Sequence, residues 1–95
     1  MSDYTLPPRV TATIAHVDSP DGWHVYRLAD RRGYTHREDT IRVTWGGRDN
    51  RYQVEMMRRD GWTPLLSGTA GSKAIAHPLA IRESVAVLFG MEDHG

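Results

Sequence analysis

Arginine is the residue type with the clearest chemical potential in this chain. Nine arginines lie between residues 27 and 59, together with five acidic residues. The planar guanidinium group binds phosphate through paired hydrogen bonds, and a neighbouring aromatic ring can stack on a nucleobase. These properties predict, as one alternative, a nucleic-acid-binding surface on an arginine-rich sheet face and its loops. Its candidate residues are Arg31, Arg32, Arg42, Arg48, Arg51 and Tyr34.

The charge balance of the whole chain weighs against that alternative. Twelve basic side chains balance twelve acidic ones, which gives a formal net charge of zero. Proteins that bind nucleic acid usually carry a basic surplus. The competing interpretation is a solvated sheet face on which the arginines pair with the acids between them, and the sequence favours it.

Protein binding is the function that we expect first. The alternation of the strands places Trp23, Met57 and Leu65 on the sheet face away from the predicted core. Trp, Met and Arg are enriched at protein interfaces, and open sheet edges invite pairing. We therefore expect a small non-enzymatic accessory or regulatory protein that binds a protein partner or associates with itself, for example as a homodimer. The competing interpretation is that other segments of the chain cover these three side chains.

Catalytic and metal-binding patterns are weak in this sequence. It contains no cysteine, and its serines and five histidines do not fall in the spacings of known nucleophile or zinc motifs. His16, Asp18 and His24 flank one predicted turn and would suit a divalent metal if they shared a sheet face. Histidines at the rim of the sheet are the favoured interpretation. We expect no catalytic residue, no metal and no cofactor.

Length and composition predict a single small domain. The chain has 95 residues, of which 39% are apolar, and we assign residues 9–90 to the domain, 1–8 to a flexible arm and 91–95 to a polar tail. No apolar run approaches the ~20 residues that cross a bilayer, and residues 1–8 do not resemble a signal peptide. We therefore expect a cytoplasmic protein without membrane contact. The preference for arginine over lysine predicts a GC-rich genome, such as that of an actinobacterium or one of its phages.

Hydrophobic alternation and turn residues predict three β-hairpins, over residues 10–28, 41–57 and 51–66, of which the last two share a strand. The turn of the first hairpin, residues 19–22, should set Ser19 opposite Trp23. Asp-Gly-Trp occurs at residues 21–23 and again at 60–62; a duplicated hairpin is one explanation, and turn chemistry, which accounts for Asp-Gly, is the favoured one. Pro64 predicts that the last strand lies at a sheet edge or is very short.

Three further segments complete the predicted architecture. Residues 51–57 have the spacing of a strand, although Asn50 could cap a helix there. The polar segment 29–40 is expected to be a long loop, with a short strand near Tyr34 as the alternative. A helix is predicted over about residues 77–89, with Pro78 in its first turn and Gly90 after its end. The fold class is thus α+β: an antiparallel sheet of about four to five strands packed on one C-terminal helix.

Overall fold

The computed structural model of the chain describes residues 6, 8–18, 22–32, 34–46 and 48–90. Within them, five antiparallel strands are followed by one helix. The elements are β1 (Val10–Asp18), β2 (Trp23–Arg32), β3 (Thr35–Gly46), β4 (Arg51–Arg58), β5 (Gly61–Thr69) and α1 (Lys73–Phe89). The spatial order β1-β2-β3-β4-β5 equals the chain order, so every strand pairs with its neighbours in sequence. The predicted α+β class, with an antiparallel sheet and a C-terminal helix, is confirmed.

One face of the sheet packs against α1 and forms the hydrophobic core. Successive strand residues point to opposite faces, and the strands direct Leu28, Ile41, Val43 and Val54 toward the helix, where all four are buried. The helix contributes these buried side chains to the same cluster: Ala76, Ala80, Val85 and Phe89.

The other face of the sheet, which we call the open face, is not covered by the helix. The strand registers assign to it these residues: Thr11, Thr13, Trp23, Val25, Arg27, Arg31, Arg42, Arg51, Gln53, Glu55, Met57 and Trp62.

Residues 29–40 form a hairpin, so the expectation of a long loop is wrong. Arg32 pairs with Thr35, which leaves only two residues between β2 and β3. The polar residues of this segment occupy sheet positions. Asp30 is buried and forms an ion pair with Arg9, at 3.3 Å between Nε and Oδ1. The polar composition of residues 29–40 indicated a loop. The segment alone does not show that Asp30 is stabilised in the sheet by Arg9, which lies outside it.

The hairpin over 10–28 is confirmed, but its predicted register is wrong. Asp18 pairs with Trp23, and a bulge lies between Ile14 and His16. A bulge inserts one extra residue and shifts the pairing beyond it. The pairing at the turn and the bulge each shift the register by one residue, so beyond the bulge the total shift is two residues and the alternation is preserved. The predicted apolar set therefore still shares one face: Val10, Ala12, Ile14, Tyr26 and Leu28. Residues 19–21 of the predicted turn lie outside the described part of the chain.

The second and third hairpins agree with the sequence. Trp45 pairs with Tyr52 and Val43 with Val54, so residues 51–57 form a strand and not a helix. Strand β5 lies at the edge of the sheet, as Pro64 predicts. A bulge between the Val54 and Glu55 pairings leaves Leu65 as the extra residue.

The helix begins at Lys73, four residues before the predicted start. Ser72 has the extended backbone of an N-cap, and its side chain accepts a hydrogen bond from the Ile75 N–H at 3.3 Å. The helix ends at Gly90, which adopts the left-handed conformation with φ 62°. Pro78 therefore lies in the second turn, where it removes the hydrogen bond that the Ala74 carbonyl would accept. Within the described residues, no helix is long and apolar enough to cross a membrane.

The predicted arm and tail lie mostly outside the described residues, which exclude 1–5, 7 and 91–95. Leu6 is described, and it packs half-buried against the core cluster. The assignment of 1–8 to an arm and 91–95 to a tail stays a prediction.

Gly68 is the position where the core tolerates no side chain. It pairs with Tyr52 across β4 and β5, and a Cβ added to it would lie 2.6 Å from Cζ of the Tyr52 ring. The Tyr52 hydroxyl donates a hydrogen bond to Glu83 on α1, so the ring cannot move away without breaking this hydrogen bond. We expect Gly68→Ala to lower the free energy of unfolding by about 1–3 kcal/mol, measured by urea denaturation.

Gly71→Ala is the matched control for that variant. A Cβ at Gly71 meets nothing within 4 Å, so its midpoint in urea should equal that of the wild type or exceed it slightly. Equal stability of the two variants would contradict the close packing of Tyr52 over Gly68.

Candidate functional site on the open face

The centre of the open face is an arginine held between two tryptophans. Arg42 lies on β3 between the core residues Ile41 and Val43, so strand alternation directs it to the open face. Its guanidinium carbon lies 4.3 Å from the ring centroid of Trp23 on β2 and 4.6 Å from that of Trp62 on β5. Both distances are within the range of cation–π attraction. We call Trp23, Arg42 and Trp62 the Trp–Arg–Trp stack.

Glu55 neutralises the charge of the stack. It faces Arg42 directly across β3 and β4, and its Oε1 accepts hydrogen bonds from Nε at 2.8 Å and Nη2 at 2.5 Å. The two side chains are only 20% and 23% exposed, which strengthens such charge-assisted hydrogen bonds relative to those in water. The guanidinium group is therefore fixed by four contacts: two rings and two hydrogen bonds.

The stack also covers the sheet beneath it. Val25 belongs to the open face and pairs with Arg42, yet it is only 4% exposed. Since α1 lies on the other face, the described side chains placed to exclude water from Val25 are its neighbours on the open face, Trp23 and Arg42 among them. The aliphatic part of an arginine side chain can cover an apolar neighbour in this way.

Two of the three residues predicted to bind protein lie on the open face. Trp23 is part of the stack, and Met57 is 42% exposed and pairs with Trp62. Leu65 packs against the core cluster, so its predicted position on the opposite face is wrong. The bulge at Leu65 adds one residue to β5 and changes which residues face the core.

Trp62 and Glu55 are site residues that the sequence analysis did not select. The repeated Asp-Gly-Trp sequence was the available signal, because each copy places a tryptophan at the start of a strand. The two tryptophans face the same arginine although two strands, β3 and β4, lie between their own strands in the chain.

The predicted arginine surface is divided between the two ends of the sheet. Arg31 pairs with His36 at one end of β3, and Arg51 pairs with Gly46 at the other. This spacing along β3 corresponds to about 33 Å at ~3.3 Å per residue. Arg42 lies between them and is already paired with Glu55.

The remaining candidates for nucleic-acid binding follow the same division. Tyr34 is fully exposed in the β2–β3 turn, beside the Arg31 end, and Arg48 is exposed in the β3–β4 turn, beside the Arg51 end. The side chain of Arg32 is not among those described. The structure therefore does not bring these arginines into one cluster.

A second polar cluster lies on the other face of the sheet, under the first half of α1. The Tyr26 hydroxyl lies 2.8 Å from Nδ1 of His77, and the His24 ring meets the His77 ring edge-on with 4.5 Å between centroids. Burial raises the pKa of Tyr26, so its hydroxyl stays protonated in this hydrogen bond. Nε2 of His77 is buried and has no hydrogen-bond partner in the described residues.

Burial also lowers the pKa of His77 from 6.5 to about 4, and the neighbouring charges of His24 and Lys73 act in the same direction. A cation at this position would lie in the core beside a second imidazole. The neutral form of His77 is therefore the one that fits between α1 and β2.

The described residues contain no group of three or more histidine and acidic side chains that could hold a metal ion. The side chains of His16 and Asp18 lie outside the description. The backbone register pairs position 16 with Val25 and position 24 with Val17, so His16 and His24 occupy alternate positions of the ladder. The expectation that they share a sheet face is wrong, because the bulge and the Asp18–Trp23 pairing shift the register.

Comparison with known proteins gives no family for the chain: no protein-family model, curated protein or solved structure matches it. The chemistry of the open face is therefore the basis for assigning a function.

Removal of the central guanidinium should loosen the open face. We expect Arg42→Ala to lower the free energy of unfolding by about 1–2 kcal/mol, because it leaves Glu55 unpaired and separates the two rings. Water reaching Trp23 and Trp62 should shift the tryptophan emission to longer wavelength. Arg42→Lys should recover only part of the loss, because an ammonium group is neither planar nor bidentate.

Arg51→Ala is the control for the arginine variants. Arg51 is exposed on the same face and forms no ion pair with the described residues, so its stability should stay within about 0.5 kcal/mol of the wild type. If Arg42→Ala were equally neutral, with unchanged emission, the stack would not stabilise this face.

Acid should weaken the packing of α1 through His77. The unfolded chain takes up this proton near pH 6.5 and the folded chain only near pH 4. The contribution to stability is therefore complete above pH 6.5 and is lost as the pH falls toward 4, by about 2–3 kcal/mol. Urea denaturation between pH 7 and 4 should show a shallower pH dependence for His77→Gln than for the wild type. Identical dependence in both proteins would show that His77 titrates normally.

Proposed function

We propose that the chain is a non-enzymatic protein-interaction module whose open face binds a partner protein with an acidic periphery. The observation that supports this most strongly is the Trp–Arg–Trp stack, a rigid aromatic centre whose charge Glu55 neutralises. The functional residues are therefore Trp23, Arg42, Trp62 and Met57.

The composition of the open face matches that of a binding surface. Protein interfaces have an apolar, aromatic centre and a polar rim, and tryptophan and arginine contribute most to their affinity. Here Trp23 and Trp62 are half-buried and Met57 is 42% exposed. Toward the periphery lie Arg27, Arg31 and Arg51, which are exposed and form no ion pair with the described residues. These rim arginines favour a partner that presents carboxylates around its contact surface.

The rigidity of the site favours binding. The stack residues lie on strands of the sheet, and the guanidinium group is held by two rings and by Glu55. Side chains that are already ordered lose little entropy when a partner docks. The molecule measures 42 × 37 × 19 Å, so its broad face is of the same order as the ~800 Å² that each partner buries in a standard interface.

A shallow recess beside the stack fits a single side chain of the partner. It has a volume of about 330 Å³ and is lined by residues of β4 and β5 around the Leu65 bulge, among them Gln53, Glu55, Pro64 and Ser67. Both hydrogen bonds from Arg42 go to Oε1 of Glu55, so Oε2 has no hydrogen-bond donor among the described residues. The Gln53 amide and the Ser67 hydroxyl lie in the same lining. This recess therefore suits a hydrogen-bond donor near the centre of the partner's surface.

Protein binding explains the geometry better than nucleic-acid binding does. A strand of nucleic acid requires a continuous series of free cations, since each phosphate carries a charge. On the open face, the central arginine is committed to Glu55, whereas Arg27 and Arg31 lie on β2 to one side of it and Arg51 lies at the start of β4 on the other side. The free arginines thus lie on either side of a neutral centre and do not form the continuous series of cations that a nucleic-acid strand requires.

Photo-crosslinking tests the proposal directly. A photoreactive amino acid is placed at Met57 on the open face or, as the control, at Val87, which is 60% exposed on α1. In a lysate of an actinobacterium, the source that the arginine bias predicts, position 57 should crosslink one protein that position 87 does not. With that protein purified, Trp62→Ala should weaken binding about 30-fold, as for a typical hot spot, while Val87→Ala leaves it unchanged.

Two results would contradict the proposal. One is a crosslinking pattern that is the same at positions 57 and 87. The other is fluorescence anisotropy showing micromolar binding to DNA or RNA at ~50 mM salt that is lost at ~200 mM, the signature of phosphate contacts, and that depends on Arg31 and Arg51. That second result would assign the rim arginines to nucleic acid.

A further inference from the structure

The two edges of the sheet are protected to different degrees. An edge strand exposes unpaired N–H and C=O groups, and proteins usually block such an edge with proline, charges or a bulge. Strand β5 has Pro64 and the bulge at Leu65. Strand β1, at the other edge, has a bulge between Ile14 and His16, but it has neither proline nor a carboxylate, lysine or arginine between Val10 and Val17.

Among the described strands β1 pairs only with β2, and its first five residues form the regular part of this edge. They read Val10, Thr11, Ala12, Thr13 and Ile14, and they end where the bulge begins. Thr11 and Thr13 are exposed on the open face, and Ile14 is 51% exposed on the helix face. A strand of this composition is strongly β-forming, and leaving it unpaired would be a liability.

The order of residues in this segment is nearly symmetric about Ala12. On either side of it come a threonine and then a β-branched apolar residue. An interface with two-fold symmetry must be self-complementary, because each surface meets its own copy. We propose that β1 pairs antiparallel with β1 of a second copy, with the two-fold axis at Ala12.

Every pair in this register is favourable. Thr11 lies opposite Thr13 of the second copy, and such threonine pairs stabilise neighbouring strands. Val10 lies opposite Ile14 of the second copy, which gives the exposed Ile14 an apolar neighbour. Ala12 meets its own copy, and the absence of charge from the segment means that nothing repels.

The faces of the two sheets also match. Residues that pair across the proposed dimer lie on the same face of their own sheets. Thr11 and Thr13 therefore stay on the open face, and Val10, Ala12 and Ile14 stay on the helix face. The dimer is then a continuous ten-stranded sheet with both helices on one side and both open faces on the other. This pairing does not require the open-face partner proposed above, and it leaves that surface free.

Sedimentation equilibrium tests the dimer and its register together. From ~1 to ~500 μM, a range that spans the affinities of small interfaces, the wild type should change from monomer to dimer. Thr11→Lys combined with Thr13→Lys places lysine opposite lysine and should weaken the dimer about 10-fold or more. Thr11→Lys combined with Thr13→Glu places opposite charges together and should restore it.

Gln53→Lys is the matched control, since Gln53 is exposed on the same face but on the interior strand β4. It should leave the dimer unchanged, and circular dichroism should show that all variants fold. Amide hydrogen exchange gives a second measurement: residues 10–14 should become more protected as the concentration rises, whereas residues 61–69 should not.

Three outcomes would overturn the inference. They are a wild type that stays monomeric across the range, a dimer that the double-lysine variant does not weaken, and a dimer that the lysine–glutamate variant weakens equally. The last would place the axis elsewhere, because a two-fold axis at Thr13 would bring glutamate opposite glutamate.

Discussion

One helix has to complete the core of a five-stranded sheet, and this constraint shapes the rest of the molecule. Helix α1 contacts β3, β4 and β5, and it reaches β2 through His77, which meets Tyr26 and His24. With only one helix available, the second face of the sheet has no covering layer. Its stability must come from its own side chains, which have to shield the backbone while remaining compatible with water.

The Trp–Arg–Trp stack, with residues from β2, β3 and β5, meets this requirement together with Glu55 on β4. An arginine provides an apolar stem over the sheet and a flat charged group that rings can cover on both sides. Glu55 then compensates the charge that the rings partly desolvate. The same arrangement that protects Val25 also produces a flat, aromatic and nearly neutral surface. Structural stabilisation and binding capacity are thus properties of the same contacts on this face.

Much of the fold is predictable from the sequence because its hairpins are local. Turn residues and alternation identified the three hairpins and the pairing of Trp45 with Tyr52. The segment 29–40 was not predictable in this way, since its polar residues are held by neighbouring strands and by Arg9. The early start of α1 had a signal in Ser72, but Pro78 is a stronger indicator of a helix start, and here it lies in the second turn.

The candidate site was predictable only in part, because assigning a strand residue to a sheet face requires an uninterrupted alternation. Alternation correctly placed Arg42, Trp23 and Met57, because no irregularity lies between them and the core residues that define the faces. Leu65 was misplaced because one bulge exchanges the two faces of a strand. Trp62 lies on the same strand, and its contact with Arg42 spans β4, a distance across the sheet that no local pattern encodes.

The agreement between strand order and chain order has a consequence for how the molecule forms. Each strand can pair as soon as the next one is present, so the sheet grows by short-range steps and its contact order is low for a protein made mainly of strands. The helix, however, follows all five strands in the chain. During synthesis, at about 5–20 residues per second, the apolar face of Leu28, Ile41 and Val43 is complete seconds before α1 arrives to cover it. During that interval the helix face of the nascent sheet exposes apolar side chains to non-specific association. The open face, whose centre is covered by the Trp–Arg–Trp stack, is complete as soon as β5 pairs with β4.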